Sequence, residues 1–361
     1  MAAPTMVYVD PAGAADSGTG TIGDPYLDLQ YALNTQTRDA TNGDQFNIKA
    51  GTDEILAAAL SLATYGIPTI AAPIIFRGYT SAANDGGIGG ISGNGSVGIK
   101  VITSDDFMYW VDLHLHNTGS NTIVAVDDNC LFLNCEFNNA ATGISLDAAN
   151  AVIRCHFHDI SGNGILSNNT FNHIESCYFE NDGTRDFTNA ITVLTSGIIR
   201  NNIIKIDGTS NGITNSAAGV QILHNSIYSA GGTGKGINLT TSGGRSVVLN
   251  NIVEGFSGSG GIGLSVAAGH DLYVYGNNKF YNNATNTSIS GDTLIDLLNN
   301  SVLSASPFAS PSTDNFMVDT SVKAGAYPTS FKGSITNQFL DVGAAQRMEF
   351  TARARSLLGL G

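Results

Sequence analysis

At 361 residues the chain is long enough for two ordinary domains, or for one solenoid that absorbs the whole length. Charged residues make up only 13%, about half the usual share, while the apolar content is 42% and glycine numbers 43; this excludes a disordered chain and favours a turn-rich β protein over a helical one. A net charge of −14 argues against duplex nucleic acid as a partner, and no apolar run reaches the roughly 18 residues that a membrane span needs.

In chain order, Tyr8 to Asn34 is the first informative stretch. Asp24-Pro25 reads as a helix start, with Asp24 as N-cap and Pro25 at the first helical position, and Tyr26, Leu29 and Leu33 share one helical face. Such a helix would cover an open sheet edge. Asp44 to Thr52 and Pro73 to Tyr79 follow as strand segments. Residues 81–98 are glycine-rich and read as a loop, and strands resume at Ile99–Ile102.

From Trp110 to Leu303 the chain repeats. Taking Leu115 as an anchor, equivalent apolar residues fall at Phe137, Phe157, Phe179, Ile204, Ile227, Val253, Phe280 and Val302, in steps of 20 to 27 residues. Five residues earlier runs a second apolar column: Trp110, Phe132, Val152, Ile174, Ile199, Ile222, Val248, Tyr275 and Leu297. Two residues before the anchors the column reads Leu113, Cys135, Cys155, Cys177, Asn202, Asn225, Asn251, Asn278 and Asn300. A third run comprises Ile144, Ile165, Ile191, Ile213, Ile237 and Ile262.

A period in the low twenties marks a solenoid, and residues rich in Asn, Gly, Ser, Thr and Ile suit strands and tight turns. Inward residues of one strand share parity, so the chain must turn a corner between the columns at minus five and minus two. The asparagines sit at that corner, where a left-handed backbone is tolerated and stacked amides can bond one another. No proline falls between Ile74 and Ser306, as strands that need every ladder donor require.

The five-rung ladder Asn202, Asn225, Asn251, Asn278 and Asn300 resembles that of the pectate-lyase-like right-handed parallel β-helix family. Tyr8-Val9-Asp10 and the Gly43–Thr52 strand resemble the opening of many such repeat proteins. The resemblance implies an all-β, single-stranded right-handed parallel β-helix. We assign 1–40 to an N-terminal cap, 41–303 to the β-helix, 304–345 to a C-terminal cap, and 346–361 to a basic-apolar tail with Arg347, Arg353 and Arg355. The tail reads equally as a docking segment or as a helix folded on the cap.

The four cysteines read as buried free thiols, because three in one column cannot all pair. Residues after the third-run isoleucines (Ser145, Leu166, Thr192, Thr214, Asn238 and Gly263) face outward, and none is ionisable. That face supplies no carboxyl pair and no base. Asp127-Asp128 and Gly269-His270 lie about six coils apart, too far to act together.

The outward positions flanking the anchors are richer. His114, His116, Glu136, His156, His158, Tyr178, Glu180, Asp182, Arg185 and Asp186 form a candidate binding wall, with Asp159 nearby. Glu136, Glu180 and Asp182 are the candidates for a catalytic carboxyl pair, and no catalytic residue is assigned. Stacked rungs rarely converge as metal ligands must, so neither metal nor cofactor is expected.

The β-helix family includes lyases, hydrolases, adhesins and virion proteins. An acidic surface, a chain starting at Met1 without a secretory leader, and a rigid body resemble a phage virion surface protein: a head decoration, fibre or tail spike. This reading expects a homotrimer in the virion that contacts other virion proteins through the C-terminal tail and binds host polysaccharide. A polysaccharide lyase or glycoside hydrolase of the same fold is the alternative, and a bacterial surface adhesin a third.

Overall fold

The computed structural model describes residues 3–13, 18–62, 65–95, 106–181, 185–216, 219–240, 243–296 and 300–318. The segment Ile99–Ile102, Leu297, Asp182, and the cap and tail segments beyond Val318 lie outside these residues.

The chain winds into a right-handed parallel β-helix with three sheets. The first sheet has eleven strands, from Thr5–Val9 to Asp271–Gly276; the second has eleven, from Glu54–Ile55 to Ser301–Val302. The third has eight, from Thr122–Val126 to Thr285–Ile289. Thr5–Val9 lies within the segment assigned to the N-terminal cap, yet it pairs in register with Asp44–Lys49 and is already a rung.

Register converts the sequence columns into ladders. On the second sheet Leu115, Phe137, Phe157, Phe179 and Ile204 pair directly, and the series continues to Val302. The rings of Phe137, Phe157 and Phe179 stack at 4.8 Å, which is the spacing of neighbouring strands. Burying each fully contributes roughly 2–3 kcal/mol. Trp110 stacks on Phe132 behind the first sheet.

The asparagine ladder forms, and each amide oxygen accepts from the preceding rung. Asn225 Nδ2 donates to Asn251 Oδ1 and to the Ile199 carbonyl, both at 3.0 Å, and Asn251 Oδ1 also accepts from the Asn225 backbone N–H at 2.9 Å. The thiols above occupy the same column. Cys135 Sγ donates to the Trp110 carbonyl at 3.3 Å and Cys177 Sγ to that of Val152 at 3.5 Å. All four cysteines are buried and none is in a disulfide.

Four expectations are corrected. The left-handed residue at the corner is not the ladder asparagine but the one before it: Asp112, Asn134, Arg154, Ser176, Asn201, His224, Asn250 and Asn277 all have positive φ. Turning one residue earlier leaves the ladder side chain free to point inward. The helix spans Leu29–Thr35 with Asp28, not Asp24, as N-cap, because Asp28 accepts from Tyr31 N at 2.6 Å. Asp24 instead closes a turn by accepting from Thr19 N. The helix buries Leu29, Ala32 and Leu33 in the main core.

Residues 81–98 are not one loop. Gly89–Ser92 forms a rung of the second sheet, paired with Leu113–His116. Its leading turn is held by the Asp85 carboxylate, which accepts from the N–H groups of Thr80, Ser81, Ala82 and Gly87. In the third run the partner of Ile237 is Leu264, so Ser265, not Gly263, is the outward residue of that rung.

The described part of the expected C-terminal cap spans residues 304–318. Phe308–Ser310 and Asn315–Val318 form an antiparallel hairpin. Phe308 and Phe316 pack on Ile203 and Ile252, between Tyr178 and Tyr228, on the outward face of the second sheet.

Candidate functional site

The second sheet positions the site. In Leu113–His116 and His156–His158 the anchor side chain points into the core, so its two neighbours must point out. That parity places His114, Glu136, His156 and Tyr178 in one outward column, and His116, Asn138, His158 and Glu180 in the next. Seven of the ten predicted binding residues therefore share one wall.

Its ionisable groups are paired. His158 Nε2 lies 3.0 Å from Glu136 Oε1, and His114 Nε2 lies 3.8 Å from the same oxygen. His156 Nε2 is 3.8 Å from Glu180 Oε2. Asn138 sits between the two histidine pairs, within 3.3 Å of His114 Nε2 and of His158 Nε2. The rings of His114 and His116 stack at 4.1 Å, those of His156 and Tyr178 at 5.0 Å. The hydrogen bond from His158, aided by the charges of His114, His158 and His156 and opposed by burial, holds the Glu136 carboxyl down at about 2. Burial, then the neighbouring His114, lowers His116 below the ordinary imidazole value.

The sequence reading missed Asp53. Its Oδ2 lies 3.0 Å from His116 Nε2. The carboxylate crosses Gly90, where a Cβ would stand 1.8 Å from Asp53 Oδ1. Extending the anchor column backward through Ile91 to Glu54 would have placed Asp53 in the outward column, but that needs the rung hidden among the glycines. Lys205 was also missed: Nζ bridges Glu180 Oε1 at 3.0 Å and Asp314 Oδ1 at 2.6 Å. Burial works against its ammonium, but those two carboxylates outweigh it and raise its pKa.

Three predicted residues do not join the wall's centre. Asp182 lies outside the described residues. Arg185 turns to the corner beside the third sheet, where Nη1 donates to the Gly119 carbonyl at 3.0 Å. Asp186 is exposed on the same loop. Asp159 occupies a left-handed corner at φ 50°. Of the pair set aside earlier, Asp128 accepts from Ala148 N at 2.8 Å, while His270 is buried, with Nε2 2.8 Å from Ser246 Oγ. Both are structural.

Among the described residues, two sets of donors could hold a cation: Asp53, His114 and His116, and Glu136, His156 and His158. In each, one ligand atom per residue lies within 4.8 Å of the others. The expectation that stacked rungs keep ligands apart overlooked the His-x-His pairs, which place two imidazoles on one strand. Chemically the wall offers carboxylates beside imidazoles, while the Tyr178 ring is packed between His156 and Phe316.

No protein-family model and no curated protein sequence matches the chain. Among solved structures, the chain is similar to the pectate lyase Pel9A, with a TM-score of 0.62 and 16% identity over 95% of this chain and 96% of that one. It is equally similar to a glycoside hydrolase, with a TM-score of 0.62 and 10% identity over 82% of this chain and 96% of that one. These likenesses establish the pectate-lyase-like right-handed parallel β-helix as the fold of this chain.

Proposed function

We propose that this chain is a carbohydrate-active β-helix protein, a polysaccharide lyase or glycoside hydrolase, that lays its saccharide along the outward face of the second sheet. The observation that carries the reading is the convergence of Glu136, His156, His158 and Glu180 from three successive rungs beside Tyr178. A carboxylate–imidazole pair can move a proton. With Glu136 held at about 2 it stays ionised at neutral pH, so it serves as a base or orients His158 rather than donating a proton. The neighbours named as a pectate lyase and a glycoside hydrolase support the same class.

The test is incubation with uronate-containing and neutral polysaccharides, read as unsaturated-uronate absorbance and as new reducing ends. Product from the native chain and none from Glu136→Gln is expected. Absence of both product and saccharide binding would sink the reading.

The second reading is a virion surface protein that binds host glycan without cleaving it. It is favoured by the mutual pairing of the wall's charges, Asp53 with His116, Glu136 with His158 and Glu180 with Lys205, which suits a static surface. It expects a trimer, and sedimentation as a monomer at micromolar concentration would count against it.

A further inference from the structure

The wall carries a feature that saccharide binding does not require. His114 and His116, and again His156 and His158, are alternate residues of one strand, their rings stacked at interplanar angles of 7° and 28°. Each pair is joined by a carboxylate from an earlier rung: Asp53 for the first, Glu136 for the second. A tetrahedral site with metal–ligand bonds of about 2.0–2.2 Å has edges of about 3.3–3.6 Å, so the two carboxylate contacts of 3.0 Å need open by only a few tenths of an ångström. Small rotations close the remaining separations, all within 4.8 Å.

The first set depends on Gly90. Any larger residue in that rung would occupy the path by which Asp53 reaches the imidazoles. The layout of two imidazoles and one carboxylate thus occurs twice, and in the first it is reached across a rung without a side chain.

We propose that the outward face of the second sheet binds two divalent first-row transition cations of the zinc class. One is held by Asp53, His114 and His116, the other by Glu136, His156 and His158. Two imidazoles and one carboxylate suit zinc and its neighbours, whereas calcium and magnesium require oxygen ligands throughout. Three protein ligands leave a coordination position open to water or to a ligand oxygen.

The experiment uses the full, tag-free chain stripped with a chelator and titrated with zinc alone in a calorimeter. Cobalt is then substituted and its visible d–d absorption recorded. Two equivalents are expected, with His116→Ala losing one, His158→Ala losing the other, and the double variant losing both. These side chains point outward, so unchanged circular dichroism is expected to show that the variants fold; His116→Asn and His158→Asn repeat the test with less change in volume. No zinc uptake by the native chain, or uptake unchanged in the double variant, would overturn the proposal. No saccharide enters the measurement, so its outcome is independent of the proposed cleavage activity.

Discussion

Replacing Asn225 by alanine probes the ladder where it is most completely buried. Asn225 Oδ1 accepts from Asn202 N at 3.1 Å and from Asn202 Nδ2 at 3.0 Å, while its own Nδ2 serves Asn251 Oδ1 and the Ile199 carbonyl. Truncation leaves two Asn202 donors without an acceptor and the Ile199 carbonyl short of a donor. Asn251 Oδ1 keeps the Asn225 backbone N–H. Each buried orphan costs about 1–3 kcal/mol, so the loss is about 3–5 kcal/mol once partial relaxation is allowed. That is a large share of the roughly 5–15 kcal/mol that holds a typical domain. Asn225→Cys restores the donor to Ile199, as Cys135 does toward Trp110, but not the acceptor, and should recover about 1 kcal/mol. Urea unfolding measures the total. Hydrogen exchange at the Asn202 amide measures the local part, because a solenoid's stability is nearly a sum over neighbouring rungs. A loss below about 1 kcal/mol, or unchanged exchange at Asn202, would refute the reasoning.

Further outcomes follow from the same geometry. Burial, opposed by the Ser306 hydrogen bond, pushes the Glu254 carboxyl up to about 7. A raised folded-state pKa means the stabilisation is complete below the ordinary carboxylate value and is lost as pH rises through about 7. Asp314, held low by Tyr178 and Lys205 against burial, stays ionised across that window. Proteolysis at residues 304–318, normalised to a peptide control, should therefore quicken from pH 6 to 8.5, and Glu254→Gln should flatten the dependence; a flat native profile contradicts this. Phe316→Ala removes a buried ring worth about 3–5 kcal/mol and should release the hairpin while leaving the solenoid's melting temperature in place, so a fall in that temperature would show that the hairpin supports the rungs. Gly90→Ala should displace the flexible Asp53 side chain at a cost under about 1 kcal/mol while removing one zinc equivalent; retention of both equivalents would show that Asp53 is not a ligand.

The ladders were legible because burial and strand pairing act on spacing. Leu115 to Val302 form one column in the sequence, since an inward apolar residue must recur once per coil whatever the loops do between. Free cysteines and the proline gap followed from the same stack. The rung at Gly89–Ser92 was not legible, because glycines carry no inward–outward pattern to read. Nor was the cap at Asp28, since Asp24-Pro25 offers the same local chemistry, and only packing of Leu29 and Leu33 into the core selects the later start.

The sequence by itself determined the coil, its period, and which side chains face out from the second sheet, because alternation along a strand is a local rule. Only the tertiary structure decided which of those side chains meet. Asp53 joins His116 across 63 positions of chain, and Asp314 joins Tyr178 across 136. Such pairings depend on how many rungs intervene and on where the hairpin turns back. No local pattern encodes either, because both are set by packing between segments that are distant in the chain.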